Sequence, residues 1–412
     1  MGKEIKASEE ALNEEDVKEI TCSCMDVPTH KDTLNLEDFR IVGVTPQRFC
    51  ITYDVEGNPI PEWVSTTRDI IKDFFGKEGL SRVRHYSGSC MVPSHTDYKE
   101  IIGDQVNLYK PLLHHPEPGP HSYADILINR IFGDKAYLFW DYLTILFRFP
   151  IQALPVLCLV SKENHSGKST LANLLKDIFA ANVGFYGQDD LNSQFNVWVE
   201  KLIAVFEEIA DTVRALNKIK ASSTAQSITI NKKYQQQVSF RPFVKIVLLS
   251  NNEETFIRAN EYDIRYWVVR VPPLRHEDFI PDFDKKLRKE VPAIMHELLT
   301  RDIITPCRSR MWFSPEDIAT DALEIVRQES RSECAKDILI WAEEVGENFY
   351  ATLAEIREGI GNRYTLAEIK KALQGELKKT NPQRRYKDRW GNERNGKPYC
   401  FLCGEDLPEQ LE

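Results

Sequence analysis

The 412-residue chain lacks any uninterrupted apolar run long enough to cross a bilayer. Its most apolar segment, Tyr137–Val160 (YLFWDYLTILFRFPIQALPVLCLV), is broken by Asp141, Arg148, Pro150 and Pro155. That pattern reads as a buried helix followed by a buried strand, so no membrane association is expected. The acidic first twenty residues have no apolar core, so no signal peptide is expected and the location is expected to be cytoplasmic. Cysteine is scattered: nine residues, with Cys22-Ser-Cys24 and Cys400-Phe-Leu-Cys403 as the close pairs. Neither pair has the second pair or nearby histidines that would complete four zinc ligands, so a reducing compartment and no zinc site are expected. Internal repeats and low-complexity tracts are missing as well.

An excess of positive charge is also absent, for the formal net charge is −10. This excludes a chain coated evenly with nucleic acid, but not a local basic surface. Lys378–Lys397 carries eight basic side chains against Asp388 and Glu393, a net +6 that leaves −16 for the remainder. Charge is segregated toward the C-terminal region.

The pattern divides the chain into six parts. Residues 1–120 combine strand-like runs (FRIVGV, RFCITYDV) with a helix-like STTRDIIKDFFGKEG, and have no assigned role. Residues 121–149 are helical, after the proline-rich His114–His121. Strands and helices alternate across 150–300, the mark of an α/β domain. Residues 301–333 form a helical connector in which Ser314 and Asp317 make a box-like helix start. Residues 334–405 offer three helical patterns and then strand-like flanks, with Gly391-Asn392 and Asn395-Gly396 as turns, the order of a winged helix. Its basic end, with Arg384, Arg385, Lys387 and Arg389, lies where such modules touch DNA phosphates. An acidic tail, 406–412, closes the chain.

The chemistry concentrates in 150–300. Ser161–Thr170 (SKENHSGKST) ends as a phosphate-binding loop ends, although Lys162 stands where G-x-x-x-x-G-K-[ST] has its first glycine. The flanks suit such a loop. An apolar run, Leu154–Val160, precedes it, and Leu171, Leu174, Leu175, Ile178 and Phe179 then repeat at helical spacing. The helix N-terminus and its free amides converge on phosphate there, with nucleotide contacts expected from Asn164, His165, Ser166, Gly167, Lys168, Ser169 and Thr170. Lys168 reaches the β- and γ-phosphates of ATP and Ser169 holds Mg²⁺. A second apolar run, Leu202–Phe206, ends in Glu207 and Glu208, one to bind the metal and one to polarise water. A third, FVKIVLLSNN, ends in Asn251, whose uncharged amide can orient that water.

In this order SGKST, LIAVFEEI and VLLSNN resemble the Walker A, Walker B and motif C of the superfamily 3 helicases, AAA+-like motors of small DNA viruses, phages and mobile elements. The likeness to phage proteins called primase-helicases runs from about Val106 to Trp312. It implies a P-loop AAA+-like ATPase core, with an N-terminal α+β and helical region and a C-terminal winged helix. Members of the family assemble as hexamers on single-stranded or forked DNA. SITINKKYQQQVSFRPF looks like the family's DNA-binding hairpin, with Lys232, Lys233 and Tyr234 at its tip; Tyr stands where papillomavirus-type members have His. YDIRYWVVRVP resembles the arginine-finger segment, which assigns Arg265 as a finger acting on the neighbouring subunit's ATP. Lys220 and Arg258 are weaker candidates for phosphate or interface contacts. Residues 1–120 show no Asp-x-Asp on an apolar strand, so no primer synthesis is expected, and a separate primase or polymerase becomes an expected partner. Glu207 is the expected second Mg²⁺ ligand beside Ser169. The resulting expectation is an ATP-dependent DNA helicase or translocase, phage- or mobile-element-encoded and acting in DNA replication. An ATP-switched replication initiator, a P-loop small-molecule kinase and a scaffold with a decayed site are the competing readings.

Overall fold

The computed structural model describes residues 34–402 apart from 54–56, 58, 96, 194–195, 209–212, 225–227, 231–237, 260–262, 347 and 389. The described residues fall into two compact units, one within 34–89 and 101–106, the other within 90–100 and 107–402.

In the first unit, β1 (Phe39–Val42), β2 (Thr45–Tyr53), β3 (Pro59–Ser65) and β4 (Arg84–Tyr86) form a sheet in the order β3-β2-β1-β4. Helix α1 (Arg68–Arg82) links β3 to β4, which permits the parallel pairing of β4 with β1. Thr67 caps α1 by accepting from the amide of Ile70, and the helix is interrupted at Gly76, whose φ is 69°. The core is small: Phe39, Ile41, Ile71 and Val83. Three short strands, β5 (Gly88–Cys90), β6 (Ile101–Ile102) and β7 (Gln105–Asn107), follow.

The second unit opens with α2 (Ser122–Phe132) and α3 (Ala136–Arg148). Nearly every residue of α3 is buried, including Asp141. That carboxylate breaks the apolar run without penalty because it accepts from the amides of Ile304 (3.0 Å) and Thr305 (2.8 Å) and pairs with Arg301 (3.4 Å). Helix α2 has no side-chain cap of its own at His121. Glu290 supplies one from far along the chain, accepting from the amides of Tyr123 (2.9 Å) and Ala124 (3.0 Å) and from Ser122 Oγ (3.3 Å).

Beyond them run β8 (Val156–Val160), α4 (Lys168–Phe179), β9 (Val183–Tyr186), α5 (Gln188–Asn192), β10 (Ile203–Glu207), α6 (Val213–Thr224), the hairpin strands β11 (Ile228–Ile230) and β12 (Val238–Phe240), β13 (Lys245–Ser250) and β14 (Tyr266–Arg270). Five strands make a sheet of order β14-β8-β13-β10-β9, each neighbouring pair parallel. Strands β8 and β13 are buried along their whole length. A parallel sheet covered on both faces demands such continuous apolar runs. The parallel arrangement also brings the C-terminal ends of β8, β13 and β10 to one edge, with Val160 beside Ser250 and Leu249 beside Glu207.

Helices α7 (Phe283–Lys289), α8 (Val291–Thr300) and α9 (Asp321–Glu329) complete this part. The box expected at Ser314 and Asp317 forms, with Ser314 N–H donating to Asp317 (2.8 Å) and Asp317 N–H to Ser314 Oγ (3.3 Å), but it closes a turn and starts no continuous helix. Lys135 Nζ takes the carbonyls of Asp317 (2.8 Å) and Ala319 that helix continuation requires. The helix begins afresh at Asp321, capped by Thr320 Oγ1 on the amide of Leu323 (3.1 Å).

A separate core follows, built by α10 (Glu333–Val345), β15 (Phe349–Ala351), α11 (Leu353–Gly359), α12 (Leu366–Lys371), β16 (Arg384–Lys387), β17 (Glu393–Gly396) and β18 (Tyr399–Phe401). Ile338, Trp341, Phe349, Ile356, Ile369, Tyr399 and Phe401 fill it. The same five letters, TLAEI, start both α11 and α12, each with a reciprocal Thr–Glu capping box. Strand β15 pairs with β18, and β16 with β17. Asn395-Gly396 is not a turn; it lies inside β17, opposite Arg385 and Arg384. The hairpin turns at Asp388–Asn392 instead, because the Asp388 carboxylate accepts from the amides of Trp390 (3.1 Å) and Asn392 (2.8 Å).

Candidate functional site

The loop after β8 leaves the sheet edge at Ser161 and returns as α4. His165 (φ 58°) and Gly167 (φ 98°) both take left-handed conformations there. The φ of Gly167 favours glycine, and a Cβ there would lie 2.9 Å from Arg130 Nη1, the end of a side chain that could shift to make room. Lys162 is not among the positive-φ residues, so this backbone makes no such demand where the motif's first glycine is missing. Its N–H donates to Glu253 (3.0 Å) and its Nζ pairs with Glu254 (3.2 Å), tying the loop's entry to the segment after β13.

Lys168, the first residue of α4, is buried and donates from Nζ to the carbonyls of Ser161 (3.1 Å) and Glu163 (3.3 Å) and to Asn251 Oδ1 (2.9 Å). Burial pulls its pKa below the usual lysine value, and the Glu253 carboxylate opposes that fall. Asn251 in turn donates from Nδ2 to Asn164 Oδ1 (3.3 Å). Glu207 ends β10. Glu208 next to it has φ 52°, and its N–H donates to the carbonyl of Leu249 (3.0 Å). Such strain in a carboxylate-bearing residue is typical of a working site.

These groups share a cavity of about 770 Å³, within the usual range for a small-molecule site. Asn164, His165, Ser166, Gly167, Lys168, Ser169 and Thr170 form one wall, with Glu207, Glu208 and Asn251 beside them. The rest of the lining was not legible in the sequence. It includes Ile126, Leu127 and Arg130 from α2, with Leu274, Asp278, Phe279, Ile280 and Phe283 from the segment running into α7. Arg130 ties the loop to the chain after β14, donating from Nη1 to the Ser166 carbonyl (2.6 Å) and from Nη2 to the Pro272 carbonyl (2.8 Å). Glu253 also pairs with Arg270 (3.0 Å) at the end of β14.

Arg265 is not brought to this cavity. It precedes β14, where its carbonyl accepts from the amide of Val156 (2.6 Å) and its side chain pairs with Asp263 (3.2 Å). The length of β14, roughly 16 Å, separates it from the phosphate-loop edge of the sheet. Lys232, Lys233, Tyr234 and Arg389 lie outside the described residues, although β11 and β12 do pair as an antiparallel hairpin between β10 and β13. Arg384 sits over the ring of Tyr350 and donates to its hydroxyl (3.1 Å), while Arg385 and Lys387 are exposed on β16. Among the described residues, no cluster of three or more His, Cys, Asp or Glu could by itself hold a metal, and no helix is long and apolar enough to cross a membrane.

Comparison with known proteins places part of the chain among distant relatives. A family model described as a family of unknown function, DUF5906, matches residues 159–265, the span from the end of β8 to Arg265. The DNA primase-polymerase of Nitratiruptor phage NrS-1 is 24% identical over 233 residues, covering 53% of this chain and 32% of that protein. The chain therefore spans about a third of the length of the curated relative it matches. An apo structure of the NrS-1 C-terminal region superposes with a TM-score of 0.61 at 16% identity, over 86% of this chain and 96% of that one. The A form of the same region gives 0.60 at 17% identity, over 83% and 92%. The chain thus has the mixed α/β fold of that C-terminal region and a distant sequence relationship to a phage primase-polymerase.

Proposed function

We propose that the chain is an ATP-hydrolysing DNA helicase or translocase of the superfamily 3 type, acting in phage or mobile-element DNA replication. One observation carries this reading: Lys168 Nζ bonds Asn251 Oδ1 at 2.9 Å in a cavity that also presents Glu207 and Glu208. A lysine at a helix N-terminus, paired carboxylates and a neutral amide are the set that phosphoryl transfer to water needs. The distant likeness to a phage primase-polymerase supports the replication context.

On this reading ATP lies along the Asn164–Thr170 loop, and Lys168 exchanges its three protein acceptors for phosphate oxygens. Ser169 and Glu207 are exposed oxygen donors on the cavity wall, the ligand type Mg²⁺ takes, and bound Mg²⁺ offsets charge on the β- and γ-phosphates. Glu208 polarises the attacking water and Asn251 orients it. Arg265, remote from its own chain's cavity, acts on the ATP of a neighbouring subunit in a hexamer, where a finger of this kind contributes roughly 10³–10⁵ in rate. The hairpin bearing Lys232, Lys233 and Tyr234 holds single-stranded or forked DNA, and a separate primase or polymerase works beside it.

The test is ATP turnover with and without single-stranded DNA, for the wild type, Lys168→Ala and Lys233→Ala, with strand displacement on a fork measured in parallel. The expected result is DNA-stimulated turnover, abolished by Lys168→Ala and no longer stimulated in Lys233→Ala. Mixing Lys168→Ala with Arg265→Ala should restore part of the activity, because each supplies what the other lacks. A chain unable to turn over ATP with any polynucleotide sinks the proposal.

A further inference from the structure

The β16–β17 hairpin holds an exposed aromatic side chain amid positive charge. Trp390 at its tip is 59% exposed, whereas Trp140, Trp198, Trp267 and Trp341 are all buried. The buried Asp388 carboxylate accepts from two turn amides and from Asn392 Nδ2 (3.1 Å), and it pairs with Arg394 (3.1 Å). Gly391 in the turn has φ 85°. Arg385, Lys387 and Arg394 on the two strands and Lys397 at the hairpin base are exposed, with Glu393 facing Lys387 across the pair.

We propose that Trp390 stacks on an unpaired DNA base while the flanking cations hold the adjacent phosphates, so that this hairpin selects single-stranded segments over duplex. The choice of DNA as the polyanion rests on the function proposed above. Local charge favours it, for the basic hairpin belongs to a chain whose net charge is −10. Preference for an unpaired base follows from stacking. An indole needs an open π face, which a single strand offers, whereas entering a duplex requires bases to be unstacked at a cost of a few kcal/mol per step.

The test uses the full chain without ATP, titrated with oligo-dT and with a blunt duplex of equal length. Tryptophan emission of the wild type should be quenched by oligo-dT, and most of that quench should vanish in Trp390→Phe while affinity stays within about threefold. Trp390→Ala should weaken oligo-dT binding about 5- to 100-fold and duplex binding less than about twofold. Arg385→Ala with Lys387→Ala should weaken both and lower the salt dependence of each. If Trp390→Ala binds oligo-dT within twofold of the wild type, or loses duplex binding equally, stacking is wrong even where the chain hydrolyses ATP. A wild type that binds neither DNA overturns the stacking and the DNA reading together. Lys168→Ala, run alongside, should bind oligo-dT normally, which keeps this result independent of turnover.

Discussion

Lys168 and Asn251 are 83 residues apart in sequence, with Glu207 between them, and all three meet at one edge of a buried sheet. Arg384, Arg385, Lys387 and Arg394 instead lie close together in sequence, on a two-stranded hairpin whose cations mostly face water. The first site exists only when the parallel strands have assembled in the right order, and burial pulls the pKa of its lysine down. The second needs little more than its own turn, and its charges are screened by salt. On the function proposed above, chemistry is placed where assembled strands meet around a buried lysine, and contact with a long polyanion where the structure is local and wet.

Experiments can break that contrast, beginning with the largest effect. Lys168→Ala should reduce kcat about 10²- to 10³-fold, the cost of removing a donor aimed at developing charge, while leaving DNA affinity intact. Arg130→Ala should raise KM for ATP roughly 10- to 100-fold by freeing the Ser166 and Pro272 carbonyls, with kcat less affected, and Arg130→Lys should recover part of it. Equal losses in kcat and kcat/KM would show that Arg130 acts on the reaction and not on the loop's position. Glu253→Gln should lower kcat/KM about tenfold, since it weakens the link to Arg270 and removes the carboxylate charge that opposes the fall of the Lys168 pKa. Lys162→Gly should change kcat/KM less than about twofold, because the bond that matters runs from the backbone.

A smaller effect lies in pH. His95 stacks on Phe147 with ring centroids 4.6 Å apart, and burial lowers its pKa from the usual 6.5 to about 4. Between pH 6.5 and 4 the unfolded chain takes up a proton that the folded chain refuses, so stability falls across that window as pH drops and levels off below it. Urea midpoints at several pH values should slope less in His95→Phe than in the wild type, and equal slopes would remove His95 from the account.

Much of the cavity could be read in advance because burial leaves a mark: LPVLCLV, LIAVF and FVKIVLL are apolar runs, and each is followed by polar residues that line the cavity. Arg130 left no such mark. It sits on a helix before β8, and its partners are backbone carbonyls, which have no sequence signature. The 274–285 wall was missed for the same reason. Ser314 misled because a capping box encodes only a reciprocal pair of bonds, and here the carbonyls of Asp317 and Ala319 accept from Lys135, distant in sequence. Asn395-Gly396 misled because turn propensity is weaker than an aspartate able to bind two amides nearby.

Glu290 gives the domain an order of construction. The opening amides of the helix that carries Arg130 have no carboxylate to receive them until the ribosome has made residue 290. During synthesis the loop and strands on one side of the cavity precede the final anchoring of α2, so a nascent chain stopped short of that glutamate carries a cavity with an unfastened wall.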